Sequence, residues 1–226
     1  MNITHRLACI ATAAMLLPAS CALAQQPSAA PASPSPWSFY AGYAHIGFSA
    51  SATVKVNGAQ VNGGNASAAD NSSLAFGVIY HFDERWSAEL AMGLPPTATL
   101  SGADTLSSAG KLGKVTYGPA VLSLRHSFLA DGPVRPYIGA GINYTHVFST
   151  DDGFVRNLKV KSAFGPVLQL GVAIPLKDRW SLLLDVKKIW VSTTATGTLP
   201  AFGGAATTSD VRLDPLVSTL TLSYSF

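Results

Sequence analysis

The chain has 226 residues, 48% of them hydrophobic and only 12% charged, with 15 Lys and Arg against 12 Asp and Glu. That balance gives no broad positive field for nucleic acid. The two cysteines, Cys9 and Cys21, both fall in a segment expected to be removed, which excludes a disulfide framework, thiolate metal ligands and a cysteine nucleophile from the mature protein.

Residues 1–24 read as a secretory signal: a basic start at His5 and Arg6, an apolar run from Leu7 to Leu17, and Ala22-Leu23-Ala24 ahead of a cut before Gln25. A lipoprotein cut at Cys21 is the weaker alternative, because Pro18 stands where such sites favour Leu. After Leu17 no apolar stretch approaches the roughly 18 to 20 residues that a spanning helix requires. Residues 25–36 (QQPSAAPASPSP) form a Pro/Ser/Ala-rich periplasmic leader with nothing to bury.

From Trp37 to the end the dominant period is two, which places successive side chains on opposite faces of a sheet. Eight segments carry it, over residues 37–48, 74–82, 86–94, 115–128, 136–148, 162–174, 180–191 and 211–226. Each is near the roughly 9 to 11 residues of a tilted spanning strand. In the second, Leu74, Phe76, Val78, Tyr80 and Phe82 alternate with Ala75, Gly77, Ile79 and His81; in the sixth, Phe164, Pro166, Leu168 and Leu170 alternate with Gly165, Val167, Gln169 and Gly171. A soluble sandwich would place Lys and Glu on its polar face. Here that face is mostly Gly, Ala, Ser and Thr, so it looks into a confined space. The predicted fold is therefore all-β: an eight-stranded antiparallel transmembrane β-barrel over residues 37–226.

The connections alternate between short, charged turns (83–85, 129–135, 175–179) and longer segments rich in Gly, Ser, Thr and Ala (49–73, 95–114, 149–161, 192–210). Short periplasmic turns with longer extracellular loops put both ends in the periplasm. An inner aromatic girdle is expected from Trp37, Phe82, Trp86, Phe128, Tyr137, Trp180, Tyr224 and Phe226, and an outer one from Tyr43, Tyr117, Tyr144 and Trp190. The last strand alternates Leu220, Leu222, Tyr224 and Phe226 with small polar residues, and Tyr224 and Phe226 are the expected signal for the barrel-assembly machinery, read by strand addition.

Lys111-Leu112-Gly113, Tyr117-Gly118-Pro119, the run RPYIGAGINYT (135–145), Trp180-Ser181 through Asp185 to Ile189, Leu213-Asp214-Pro215 and the Tyr224-Ser225-Phe226 end resemble the OmpW family of small outer-membrane proteins, a group that includes the alkane-uptake porins. The resemblance implies an outer-membrane barrel whose narrow lumen admits small apolar molecules and releases them sideways into the membrane. The third long connection departs from the family by being short and lacking a clear amphipathic helix.

Three strand prolines, Pro119, Pro166 and Pro215, lie in the expected outer half of the barrel, each without the N–H that a closed ladder needs. At least one is expected to mark a lateral gap; the plainer alternative is a β-bulge or bend. Alternation sends Glu89, Arg125, Asp185 and Lys187 to the lumen, where an inward network of two acids and two bases would close the lower end to water and ions. Phe48, Phe148 and Phe154 are expected to line an apolar entry funnel, with burial under the loops as the alternative. His126 and Ser127, the one candidate nucleophile and base, point to opposite faces of a strand, and no G-x-S-x-G elbow occurs, so an enzyme is not expected. No cofactor or metal is expected, since the histidines show no ligand spacing. The sequence points to a monomer in outer-membrane lipid that passively admits small apolar solutes, with a structural or surface-interaction barrel as runner-up.

Overall fold

The computed structural model of the protein describes residues 35–129 and 131–226; the expected signal (1–24) and most of the leader (25–34) lie outside the described residues. Fifteen strands follow in order: β1 (Trp37–Gly47), β2 (Ser51–Val56), β3 (Ala59–Gln60), β4 (Gly64–Ala68), β5 (Asn71–His81), β6 (Trp86–Gly93), β7 (Thr97–Asp104), β8 (Lys111–Ser127), β9 (Arg135–Asp152), β10 (Arg156–Val160), β11 (Ala163–Pro175), β12 (Trp180–Ile189), β13 (Ser192–Leu199), β14 (Ala205–Arg212) and β15 (Leu216–Ser225).

Eight of them close a barrel in the order β8, β6, β5, β1, β15, β12, β11, β9, with β9 returning to β8, and every pairing is antiparallel. Closure removes the sheet edges, which hydrocarbon cannot satisfy. The two-residue rhythm supplies the wall: Leu122 and Ile142 face each other across β8 and β9 and are both exposed, as are Leu74, Leu170 and Leu220. Their alternate neighbours, among them Val121, Asn143, Ile79 and Val167, are buried in the lumen.

Short turns close one end. In the β5–β6 turn the N–H groups of Arg85 and Trp86 both donate to the Asp83 carboxylate, at 2.7 Å. Those donors hold the Asp83 carboxyl below the ordinary carboxylate range.

At the other end the structure departs from the sequence expectation. The long connections are themselves strands: β10, β13, β14, β2 and β3 make a second, five-stranded sheet, while β4 and β7 extend the barrel wall above β8. The segment 211–226 is not one strand, because it breaks between Arg212 and Leu216. Pro215 has no N–H to continue the ladder and Asp214 adopts φ +35°, in the left-handed region. The third connection holds no helix among the described residues; its residues extend β9 and form β10, and Asp152 accepts from the N–H groups of Asn157 and Leu158 at the turn between them.

Candidate functional site: an apolar column above a charged floor

Four lumen-facing ionisable groups meet near the short-turn end. Arg125 Nη1 lies 3.0 Å from Glu89 Oε2, and Lys187 Nζ lies 3.1 Å from Glu89 Oε1 and 2.6 Å from Asp185 Oδ1. These residues come from β6, β8 and β12, strands that are not all neighbours, so the cluster bridges the lumen.

Four further residues join it that the sequence reading left out of the network. Gln169, fully buried, donates from Nε2 to both Glu89 and Asp185 at 2.7 Å, and its Oε1 accepts from Ser123 at 2.8 Å. Tyr40 donates to Glu89 at 2.7 Å and Tyr137 to Asp185 at 2.9 Å. The Arg125 guanidinium also stacks 3.7 Å over the Tyr137 ring. Glycine makes this possible: a Cβ at Gly77 or Gly171 would collide with the ring of Tyr40 or Tyr137 respectively. Tyr137 is thus a lumen residue and not part of the inner girdle. With each acid meeting cations and neutral donors, the floor is a cross-linked plug. Purified protein in a planar bilayer is expected to show no steady ohmic conductance; a large one would contradict a closed floor.

Above the floor the lumen is apolar. A cavity of about 60 Å³ rests on Glu89, Arg125, Asp185 and Lys187 and is walled by Ala75, Ala91, Val121 and Val217. It adjoins a second, of about 80 Å³, through shared residues Ile46, Pro119, Ile189 and Val217. That one shares Leu100, Ala195 and Val211 with a chamber of about 310 Å³ under the five-stranded sheet, lined by Val54, Leu112, Leu158 and Leu199 among others. The Asn143 Oδ1 has no hydrogen-bond partner among the described residues, and Asn143 lines the middle cavity.

Phe48 lines the middle cavity, its ring 6.2 Å from that of Tyr117, and Phe154 lines the chamber. Tyr117 is buried in the lumen and is therefore not part of an outer girdle. Phe148, expected in the funnel, instead faces outward and is 59% exposed. The cause is alternation itself: Phe148 shares the outward face of β9 with Ile142, Tyr144 and His146, and the β-bulge between Val147 and Ser149 changes the face only of residues beyond it.

The prolines sit differently from one another. At Pro166 the ladder with β9 runs unbroken, and Trp190 still donates to the Pro166 carbonyl at 3.1 Å. At Pro215 the Ile189 N–H donates to the proline carbonyl at 3.0 Å, and the Asp214 carboxylate accepts from the Val191 N–H at 3.2 Å. Both are bypassed locally.

At Pro119 a seam opens. Pairing of β6 with β8 ends at Met92 opposite Ala120, and pairing of β7 with β8 begins only at Thr97 opposite Thr116. The Tyr117 N–H donates across this seam to the Pro96 carbonyl at 3.1 Å. Residue 119, two further on, presents the same side, so the N–H that proline lacks is one that would have faced the seam. The lower cavity reaches the wall here, at Met92, Leu94, Pro96 and Pro119. On the outer side the Phe148 ring covers Gly118, where a Cβ would meet it at 2.7 Å.

The sequence model of the OmpW family matches residues 38–226, the whole barrel with its upper strands. The chain belongs to the OmpW family. It is 38% identical over 192 residues to the dibenzothiophene metabolism operon protein PahQ of Pseudomonas aeruginosa, covering 85% of this chain and 89% of that one. It is 29% identical over 173 residues to the outer membrane protein AlkL of Ectopseudomonas oleovorans, covering 76% and 74%. The solid-state NMR structure of AlkL in DMPC lipid bilayers superposes with a TM-score of 0.68 at 26% identity, covering 89% of this chain and 96% of that one. The crystal structure of OprG from Pseudomonas aeruginosa gives 0.79 at 24%, covering 85% and 97%, which is a likeness of fold. This OmpW-family chain is accordingly an outer-membrane protein, and its exposed Leu, Phe and Ile rows are the lipid-facing surface.

Proposed function

We propose that this OmpW-family barrel is a passive, non-catalytic conduit for small apolar molecules, which enter through the upper chamber, descend the apolar column and leave sideways at the seam beside Pro119. The observation that carries the reading is the coincidence of a floor of paired charges with a wall whose ladder is interrupted just above it. A solute that reaches the lower cavity meets paired charges below, where desolvation is costly, and Met92, Leu94 and Phe148 to the side, where hydrocarbon begins. Lateral escape is the cheaper path.

The name of the PahQ relative places it with the metabolism of an aromatic sulfur heterocycle, a solute class that a largely apolar column of this kind suits. Asn143 adds one place where a solute carrying a single hydrogen-bond donor can be paired. Uptake of a labelled polycyclic aromatic by cells with and without the gene tests the reading: faster entry with the gene is expected, together with unchanged entry of a hydrophilic solute of similar size. Equal aromatic entry in both strains would reject it.

A further inference from the structure

The outward side of the five-stranded sheet lies away from the conduit, and of its residues named below only Thr196 and Lys161 also border a cavity. Its inward side chains, Val54, Leu158, Leu199 and Val211, line the upper chamber, so alternation turns their neighbours away from the molecule. One row runs straight across four strands, Lys159 opposite Thr196, Thr196 opposite Thr208, and Thr208 opposite Lys55. The row below reads Thr194, Asp210 and Thr53, and the next Ser192, Arg212 and Ser51. Arg156 stands opposite Thr198 above, and exposed Lys161 follows β10 at the lower edge.

This face is hydroxyls and cations. Its one carboxylate, Asp210, accepts from the Thr194 hydroxyl at 3.2 Å. Among the described residues none of Lys55, Arg156, Lys159 and Lys161 has an acidic partner within 4 Å, and Arg212, 69% exposed in its side chain, only grazes Asp214 at 4.0 Å. Five cations against one carboxylate leave the face with a net positive charge that nothing within the sheet neutralises, an arrangement that favours an external anion.

Its height picks the anion. Phe164, 70% exposed, lies three residues along from Lys161, and exposed Leu216 lies four from Arg212, with exposed Trp190 just before β13. At about 3.3 Å of contour per residue, Lys161 and Arg212 stand at most roughly 10 to 13 Å, and Lys159 at most roughly 17 Å, beyond the lipid-facing belt. That is the layer of phosphates and sugars, not of acyl chains.

We propose that this face binds the phosphorylated sugar headgroup of the outer leaflet's glycolipid, lipopolysaccharide. Lys and Arg donate to its phosphates as charge-assisted hydrogen bonds, and the Ser and Thr rows meet its sugar hydroxyls. The inference is independent of solute passage, since none of Lys55, Lys159 and Arg212 lines a cavity.

The test is binding of purified lipopolysaccharide to the detergent-folded full chain, wild type against the triple variant Lys55→Gln, Lys159→Gln, Arg212→Gln, each repeated with enzymatically dephosphorylated lipopolysaccharide. With three surface cations removed, the triple variant is expected to bind at least about ten-fold more weakly. Wild type should lose a similar factor when the phosphates are removed, and the Lys55→Arg, Lys159→Arg variant should bind like wild type. Folding of each variant is checked by its heat-modifiable gel mobility; should the triple variant not fold, the dephosphorylated ligand and the single variant Lys159→Gln decide alone. Equal binding of intact and dephosphorylated lipopolysaccharide by wild type, or undiminished binding by the folded variants, would overturn the proposal.

Discussion

Replacing Glu89 with Ala is expected to lower the unfolding free energy of the barrel by about 3 to 5 kcal/mol, the size associated with removing one partner of a buried ion pair. Glu89 is 2% exposed and is the acid on which four donors converge: Arg125, Lys187, Gln169 and Tyr40. Its removal leaves Arg125 with no acidic partner within 4 Å among the described residues, and leaves Lys187 with Asp185 alone. Two buried cations then share one carboxylate. Urea titration of the folded protein in lipid vesicles, followed by gel mobility, measures the change. Glu84→Ala, in the exposed β5–β6 turn, is the control and should leave the midpoint in place. A Glu89→Ala loss under about 1 kcal/mol would mean that the plug adds little to the fold.

The second large effect concerns the wall. Pro119→Val gives residue 119 an N–H on the seam side, facing Gly93 if the register of Met92 opposite Ala120 runs on. One added ladder bond contributes about 1 kcal/mol, and a β-branched residue suits a strand. The variant should therefore be slightly more stable yet take up apolar solute several-fold more slowly. Pro166→Val and Pro215→Val are expected to leave uptake unchanged, because their ladders are bypassed by the Trp190 donor and by Asp214. Should all three variants transport like wild type, the seam is not the exit.

Much of this was legible in the residues. Period two placed the lipid rows and the lumen rows, because a membrane wall leaves each strand only two environments and the side chains had to sort between them. The same parity sent Glu89, Arg125, Asp185 and Lys187 inward. Gln169 went unnamed as their hub because nothing in sequence separates a polar lumen residue that merely avoids lipid from one that ties two acids together across strands. Tyr137 was hidden for a related reason, since an aromatic near a strand end reads as a girdle, and Tyr40 went unassigned; only the glycines opposite, Gly77 and Gly171, open the space for their rings in the lumen. Phe148 was legible by the same parity, since it lies on the outward face with Ile138, Ile142 and Tyr144; its apolar ring at the upper strand end pointed to the funnel, but alternation turns it to the outside. The upper strands were missed because Thr-, Ser- and Gly-rich runs such as residues 192–198 lack the strong apolar alternation by which strands were found.

Passage of apolar solutes inside the barrel, with exit at the seam, is open to a direct chemical test. A small alkane bearing a photoactivatable diazirine, irradiated with the protein in lipid vesicles and mapped by mass spectrometry, tests it most directly. Adducts are expected on lumen residues Tyr117, Val121 and Ile189 and at Met92 beside the seam, with those lumen adducts lost to excess unlabelled aromatic solute. Adducts confined to the lipid rows, such as Leu122, Ile142 and Leu170, with none inside, would contradict it.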